Sequence, residues 1–258
     1  MFRWDIFFHF LYQDPNWFFL RAAWTTLWIS VAAQSLGVVL GTFLALMRMS
    51  RFPLLSWPAR AYIWFFRGSP LLVQVLLIYN GLPRVAPDNP FFLFPDWACV
   101  LIAFSLNEGA YMAEITRAGI TSVDAGQMEA AKSLGMPYAL AMRRIILPQA
   151  ARVIIPPLGN EFNNMLKTTS IASVIGLFEL THAASELGAP SFSVFELLIL
   201  ATLYYLFMTT LWGYAQNWIE KRLDPNRTNK AQIREGKSWT QRILGFGSQP
   251  AGQLVSGR

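Results

Sequence analysis

The stretch from Ala22 to Met47 contains no Asp, Glu, Lys or Arg, and its polar side chains are few and small, Thr25, Thr26, Ser30, Gln34 and Ser35 among them. A bilayer core needs about 20 consecutive apolar helical residues, so this stretch marks a membrane span. Within lipid every backbone N–H and C=O must be paired inside the element, which restricts spanning segments to helices or closed barrels. A run this long and continuously apolar reads as helix. Composition agrees: 54% of the 258 residues are hydrophobic and 14% charged, against about a quarter charged in soluble domains. The 15% of aromatic residues suits lipid-facing rings and interfacial anchors. The expectation is an all-α integral membrane protein.

Four further segments follow. A second span is expected from about Ala61 to Leu82, with Pro70 kinking it or ending a preceding amphipathic turn, and a third from Trp97 to about Thr116, with Glu108 near its middle. The fifth runs from about Phe195 to Ile219, closed by Lys221 and Arg222. The fourth is irregular. Between Arg152 and Lys167 the uncharged stretch is short and interrupted by Pro156, Pro157, Gly159 and Glu161, and a second apolar piece follows from Ser170 to Leu180. Broken backbone at membrane depth is tolerated only against protein or a water-filled cavity. The expectation is therefore a broken span facing the interior, followed by a short helix.

With five crossings, 17 of the 21 Lys and Arg residues fall on one side: Arg48 to Arg67, Arg117 to Arg152, and the tail from Lys221 onward. Basic residues mark the cytoplasmic side, so the amino terminus is expected outside and the carboxyl terminus inside. The polar chain from 223 to 258 reads as a weakly ordered cytoplasmic extension of a permease domain covering 1–222. Basic residues set between apolar blocks do not form the stripe that nucleic-acid binding needs. The single cysteine, Cys99, allows no internal disulfide and no cysteine cluster. His9 and His182 stand far apart, so no metal site is expected. The first 21 residues lack the pattern of a cleavable leader.

The segment Ser122 to Arg152 carries most of the functional information. Asp124 is a candidate N-cap to a run of strong helix formers, AGQMEAAKSL. Gly135 stops that helix, and Pro137 suits the start of another. Alone this is a solvated amphipathic connector. Its spacing is specific, however: Glu129-Ala130-Ala131, three residues, Gly135, nine residues, Ile145, one residue, Leu147-Pro148. It resembles the cytoplasmic EAA loop (about 117–152) of ABC-importer permeases. Three flanking blocks, FRGSPLLVQ from Phe66, GAYMAEITRAGI from Gly109 and LGNEFNNMLKTTSIASVIG from Leu158, are similar to the polar amino-acid, histidine/glutamine-type branch.

That resemblance implies five membrane helices per subunit in the type I importer fold, in a bacterial inner membrane. It also implies a second permease subunit, like or unlike, an ABC ATPase dimer, and a periplasmic or extracellular solute-binding protein that delivers an amino acid. The EAA segment, with Glu129, Ala130, Ala131, Gly135, Met136 and Pro137, is similar to the coupling helix that docks on the ATPase. The physics agrees. Small Ala130 and Ala131 allow close packing, Gly135 permits a sharp turn, and Glu129 accepts charged hydrogen bonds from the ATPase or from its own loop. Equally, Glu129 is a simple charge at a helix start.

The chain shows no engine. AQIREGKS, Ala231 to Ser238, has Ala where a phosphate loop begins with Gly, and no strand precedes it. ATP and Mg are therefore expected on the partner ATPase, with no cofactor or catalytic residue in this chain. Ionisable groups within a membrane tend to face a cavity or a partner. Glu108, Glu161 and Lys167 qualify, with Asn160, Asn164 and Tyr111 as polar neighbours. Two uses are open: a substrate pathway, in which two acids favour a cationic solute, or a Lys167 ion pair with Glu108 or Glu161 that fixes packing. Glu114 and Arg117 read as a helix-surface ion pair. The rival to an ATP-driven importer is an ion-coupled secondary transporter using Glu108 and Glu161, which would need inverted repeats; none is visible.

Overall fold

The first span is longer than its uncharged core. In the computed structural model, which describes residues 2–14, 17–85 and 93–223, α2 covers Phe18–Met49. It packs lengthwise on α6 (Asp96–Thr121). Gly37 and Gly41 set the closeness of this pair. A Cβ on Gly37 would stand 2.5 Å from Cγ of Glu108, and one on Gly41 would stand 2.4 Å from Cβ of Met112 and 2.7 Å from the carbonyl oxygen of Gly109. Small residues four apart let helix backbones approach in lipid. Ile29, Ala33, Cys99, Val100, Ala103 and Phe104 are buried in the core beside this crossing.

The second span is bent, not merely kinked. Helix α3 (Pro53–Gly68) and the segment Leu71–Val85 meet at 104°. The latter comprises α4 (Leu71–Leu76), a π-helical turn Leu77–Gly81 and α5 (Leu82–Val85). The cause is local. Pro70 clashes with a helical residue before it, so Ser69 is extended, φ −107° and ψ 146°. The side-chain amide of Gln74 then closes the corner, donating to the carbonyls of Phe66 (3.0 Å) and Ser69 (3.1 Å). Asn107 of α6 donates to the same Phe66 carbonyl at 2.9 Å. Helix α3 is amphipathic, burying Ser56, Ala59 and Ile63 and exposing Leu54, Trp57 and Trp64.

The broken fourth span proves continuous. Helix α9 (Leu147–Thr168) runs through Pro156 and Pro157. The two prolines lack the N–H groups that would bond the Arg152 and Val153 carbonyls. Helix α11 (Val194–Leu223) braces the stretch that follows: Trp212 Nε1 donates to the Gly159 carbonyl at 2.8 Å and Gln216 Nε2 to the Pro156 carbonyl at 3.4 Å. The short helix expected from Ser170 to Leu180 is displaced. A 3-10 helix, Thr169–Ile175, ends at Gly176 with φ +84°, and α10 covers Leu180–Gly188. The Glu179 carboxylate starts α10 by accepting from the His182 N–H (2.8 Å) and the Tyr205 hydroxyl (2.6 Å).

Helix α1 (Trp4–Tyr12) was not expected from the sequence. The Arg3 N–H donates to buried Glu196 at 2.8 Å, and Phe7 enters a core with Phe19, Leu180, Leu197 and Leu200. All regular elements among the described residues are helical. Helices α2, α6 and α11 are long and apolar enough to cross a membrane, and the bent pair makes a fourth if counted as one span. Helix α9 has the length, but Arg152, Glu161, Lys167 and three asparagines lower its hydropathy. The chain divides into Met1–Gln216 and Asn217–Arg258. Of the second unit only the end of α11 is described, where Arg222 lies 3.9 Å over the Trp218 ring. The tail read as a weakly ordered extension, with its AQIREGKS segment, lies outside the described residues from 224 onward.

Candidate functional site

The segment after α6 forms the helix and turn its sequence predicts. Asp124 Oδ1 accepts the Gly126 N–H at 2.7 Å and caps α7 (Ala125–Ser133). At the other end the Gly135 N–H reaches the Lys132 carbonyl (2.9 Å) and the Met136 N–H the Ala131 carbonyl (3.0 Å). This pair of bonds is a Schellman turn, which needs a left-handed residue at the position of Gly135; its φ is +75°. Pro137 caps α8 (Tyr138–Ala141), and a π-helical turn, Met142–Ile146, joins it to α9.

Burial divides the EAA residues. Ala131 is 1% exposed and packs within its own chain, so it is not available to a partner's pocket; Ala130 is exposed. Glu129 is exposed, and its carboxylate takes no hydrogen bond from the described residues, so the contact with its own loop is not made. Leu134 and Tyr138 are large apolar residues turned outward, 81% and 62% exposed. Ile120, Ile146 and Ala150 form a buried cluster flanked by Val123, Met128 and Ile154. Met128 of α7 thus packs where the ends of α6 and α9 adjoin.

Deeper in the bundle, Gln34 of α2 donates to Glu108 Oε1 at 3.0 Å and contacts Met112 Sδ at 3.6 Å. Glu108 is 4% exposed. Glu161 of α9 is half-buried and lies within Coulombic reach of Glu108. Lys167 is exposed and forms no ion pair among the described residues, so the structural pairing with Glu108 or Glu161 is not made. Asn160, Asn164 and Lys167, spaced i, i+4 and i+7, share one exposed polar stripe of α9. Asn160 accepts from Gln216 at 3.0 Å. Tyr111 does not join Glu108. Residue i+4 lies closer to the face of residue i than i+3 does, and Met112 takes that place. Tyr111 instead stacks under Arg67, whose Cζ is 5.3 Å from the ring.

Glu114 pairs with Arg117 at 3.1 Å as expected, and also with Arg48 and with Arg67 (3.6 Å). The ends of α2, α3 and α6 thus gather at the end of the bundle that leads into α7. Two contributors escaped sequence reasoning, Gln34 and the Gly37–Gly41 pair; the spacing of the two glycines is the sequence signal that marks them.

Comparisons with known proteins place this architecture. The probable amino-acid ABC transporter permease protein YckA of Bacillus subtilis is 42% identical over 197 residues, covering 76% of this chain and 85% of YckA. The arginine transport system permease protein ArgU of Corynebacterium glutamicum is 38% identical over 241 residues, covering 90% and 75%. A crystal structure of an amino acid ABC transporter with histidines is 41% identical with a TM-score of 0.76, covering 84% of this chain and 98% of that one. The family described as "Binding-protein-dependent transport system inner membrane component" matches residues 37–225. The protein belongs to that family, as a transport component and not an enzyme.

Proposed function

We propose that the chain is the membrane subunit of an ATP-driven importer for polar amino acids, with a preference for cationic ones. The observation that carries this reading is the pair of acids, Glu108 and Glu161, placed beside a polar stripe at the depth of the bundle. Ionisable residues at that depth are expensive unless they serve a cavity or a partner, and neither acid has an ion pair among the described residues. Glu161, Asn160 and Asn164 hydrogen-bond an ammonium or a polar side chain, Lys167 attracts the carboxylate, and Glu108 supplies a second negative charge. The names of the relatives, which include arginine transport, support a basic solute.

Coupling runs through α7. Glu129, Ala130, Leu134, Tyr138 and the Gly135–Met136–Pro137 turn present an outward surface to an ATPase subunit, which binds ATP and Mg. Closure of the ATPase dimer draws two such hairpins together. Through the cluster at Ile120, Ile146 and Ala150, α6 and α9 tilt and open the site to the outside, where a solute-binding protein releases its cargo. Hydrolysis resets the inward-facing state. The exposed stripe of α9 at Asn160, Asn164 and Lys167 supports a second permease subunit against this face. Five crossings, with the amino terminus outside, keep α7 and its arginine-rich neighbours cytoplasmic.

The family assignment leaves the ion-coupled alternative without support. Uptake of labelled arginine, histidine and glutamine into proteoliposomes bearing the whole complex tests the proposal. The expected result is ATP-dependent uptake with arginine preferred over histidine and glutamine. Uptake driven by a sodium or proton gradient without ATP contradicts it.

A further inference from the structure

Where α2, α3 and α6 end together, positive charge outruns negative. From residue 43 to residue 70 the chain has four arginines and no acid. The one carboxylate that α6 offers there, Glu114, is already shared by Arg48, Arg67 and Arg117. Arg60 is a fourth cation, within Coulombic reach of Arg48 together with Arg67 and Arg117. The other acids of these helices stand elsewhere: Glu108 is engaged by Gln34, and Asp96 is at the opposite end of α6. On the neighbouring coupling segment, Asp124 takes the Gly126 N–H and Glu129 points to solvent.

These groups wall a cavity of about 500 Å³, lined by Arg48, Arg60, Arg67 and Glu114 with Tyr111 and Trp64. One wall is α3, whose outward face carries Leu54, Trp57 and Trp64, exposed by 86%, 71% and 78%. An amphipathic helix with exposed tryptophans sits at the membrane–water interface. The cavity mouth is thereby held at headgroup level, on the side of the bundle that bears the coupling hairpin. Guanidinium groups suit phosphate oxygens, which they bind with paired, charge-assisted hydrogen bonds, and basic pockets between membrane helices are sites for acidic headgroups.

We propose that this cavity binds the phosphate of an anionic phospholipid headgroup, with Arg60 and Arg67 as its main ligands and Trp64 against the glycerol backbone. The bound phosphate offsets the repulsion among the four arginines and ties the ends of α2, α3 and α6 together. That junction lies directly before α7, so lipid composition bears on the firmness of the coupling end.

The test uses the intact complex, purified in mild detergent, with phosphatidylglycerol retention read by native mass spectrometry and affinity read by titration with short-chain phosphatidylglycerol. The native complex and Arg51→Gln, an exposed arginine outside the cavity, are expected to retain the lipid. Arg60→Gln with Arg67→Gln is expected to weaken binding by roughly 30-fold. Arg60→Lys with Arg67→Lys keeps the charge but not the paired hydrogen bonds and is expected to bind between the native complex and the glutamine pair, which separates lost binding from misfolding. Equal retention of phosphatidylcholine, or retention unaffected by the glutamine pair, overturns the proposal. So does binding of inorganic phosphate alone, with the same arginine dependence and no phosphatidylglycerol retention, since the site then serves a soluble anion.

Discussion

Replacing Gly41 by Ala adds one methyl group at the tightest point of the α2–α6 crossing. The new Cβ would lie 2.4 Å from Met112 Cβ, 2.7 Å from the Gly109 oxygen and 2.8 Å from the Ala113 nitrogen. Ordinary carbon contacts lie at about 3.5–4.0 Å, so the helices must part by roughly 1 Å. Two of the three neighbours are backbone and cannot rotate aside. Overpacking of this kind costs about 1–3 kcal/mol. The same separation stretches the 3.0 Å bond from Gln34 to Glu108, adding about 0.6 kcal/mol. A gain in helix propensity of at most about 1 kcal/mol opposes these terms, leaving a net loss of roughly 1–3 kcal/mol. At Gly213 an added Cβ meets nothing within 4 Å, so Gly213→Ala serves as the control and is expected to be neutral or stabilising. The assay uses Cys99, the single thiol, buried beside this crossing. Its reaction with a fluorescent maleimide on heating, read on the separated permease band, reports unfolding. Gly41→Ala should label at a clearly lower temperature than the native chain. Equal midpoints for Gly41→Ala and Gly213→Ala would refute the packing argument.

Neutralising Glu161 by Gln should lower uptake of a cationic amino acid by about tenfold, on the order of 1.4 kcal/mol, and leave a neutral one little changed. Competition assays in proteoliposomes measure this, and an equal fall for both solutes removes Glu161 from charge selection. Gly135→Ala forces a residue with a Cβ into φ +75° at a cost of about 1–2 kcal/mol, so ATPase retention on the affinity resin should fall several-fold. Unchanged retention would mean that the turn is irrelevant to docking. Gln74→Leu strips the amide that closes the bend between α3 and α4, removes the side-chain donor of the Ser69 carbonyl and leaves Asn107 as the remaining side-chain donor to the Phe66 carbonyl. The expected cost is about 1–3 kcal/mol, seen as a lower Cys99 labelling midpoint, and a native midpoint would show that Pro70 alone holds the corner.

The first span and the coupling hairpin were legible because their determinants are local. Lipid dictates the length of an uncharged run, while Asp124, Gly135 and Pro137 act on their immediate neighbours. The bend at Ser69–Pro70 was not fully legible. A proline permits either a kink or a corner, and Asn107, 41 residues away from Phe66, helps decide it. Helix α9 misled for the same reason: its prolines read as a break, and the groups that brace the turn after them, Trp212 and Gln216, belong to α11. In the candidate site, the chemical types were visible and their partners were not. Tyr111 follows Glu108 closely in sequence, yet the helix angle sends it to Arg67. The burial of Ala131 depends on a hairpin folded back on α6 and α9, which no spacing within the EAA segment reveals.

The most direct measurement is co-purification of the tagged native chain in mild detergent beside the double variant Glu129→Arg with Gly135→Pro. The account predicts that an ATPase subunit accompanies the native chain and is lost from the variant, with the permease itself still monodisperse. An ATPase that stays bound to the variant, or that never associates with the native chain while uptake follows an ion gradient, would contradict coupling through α7.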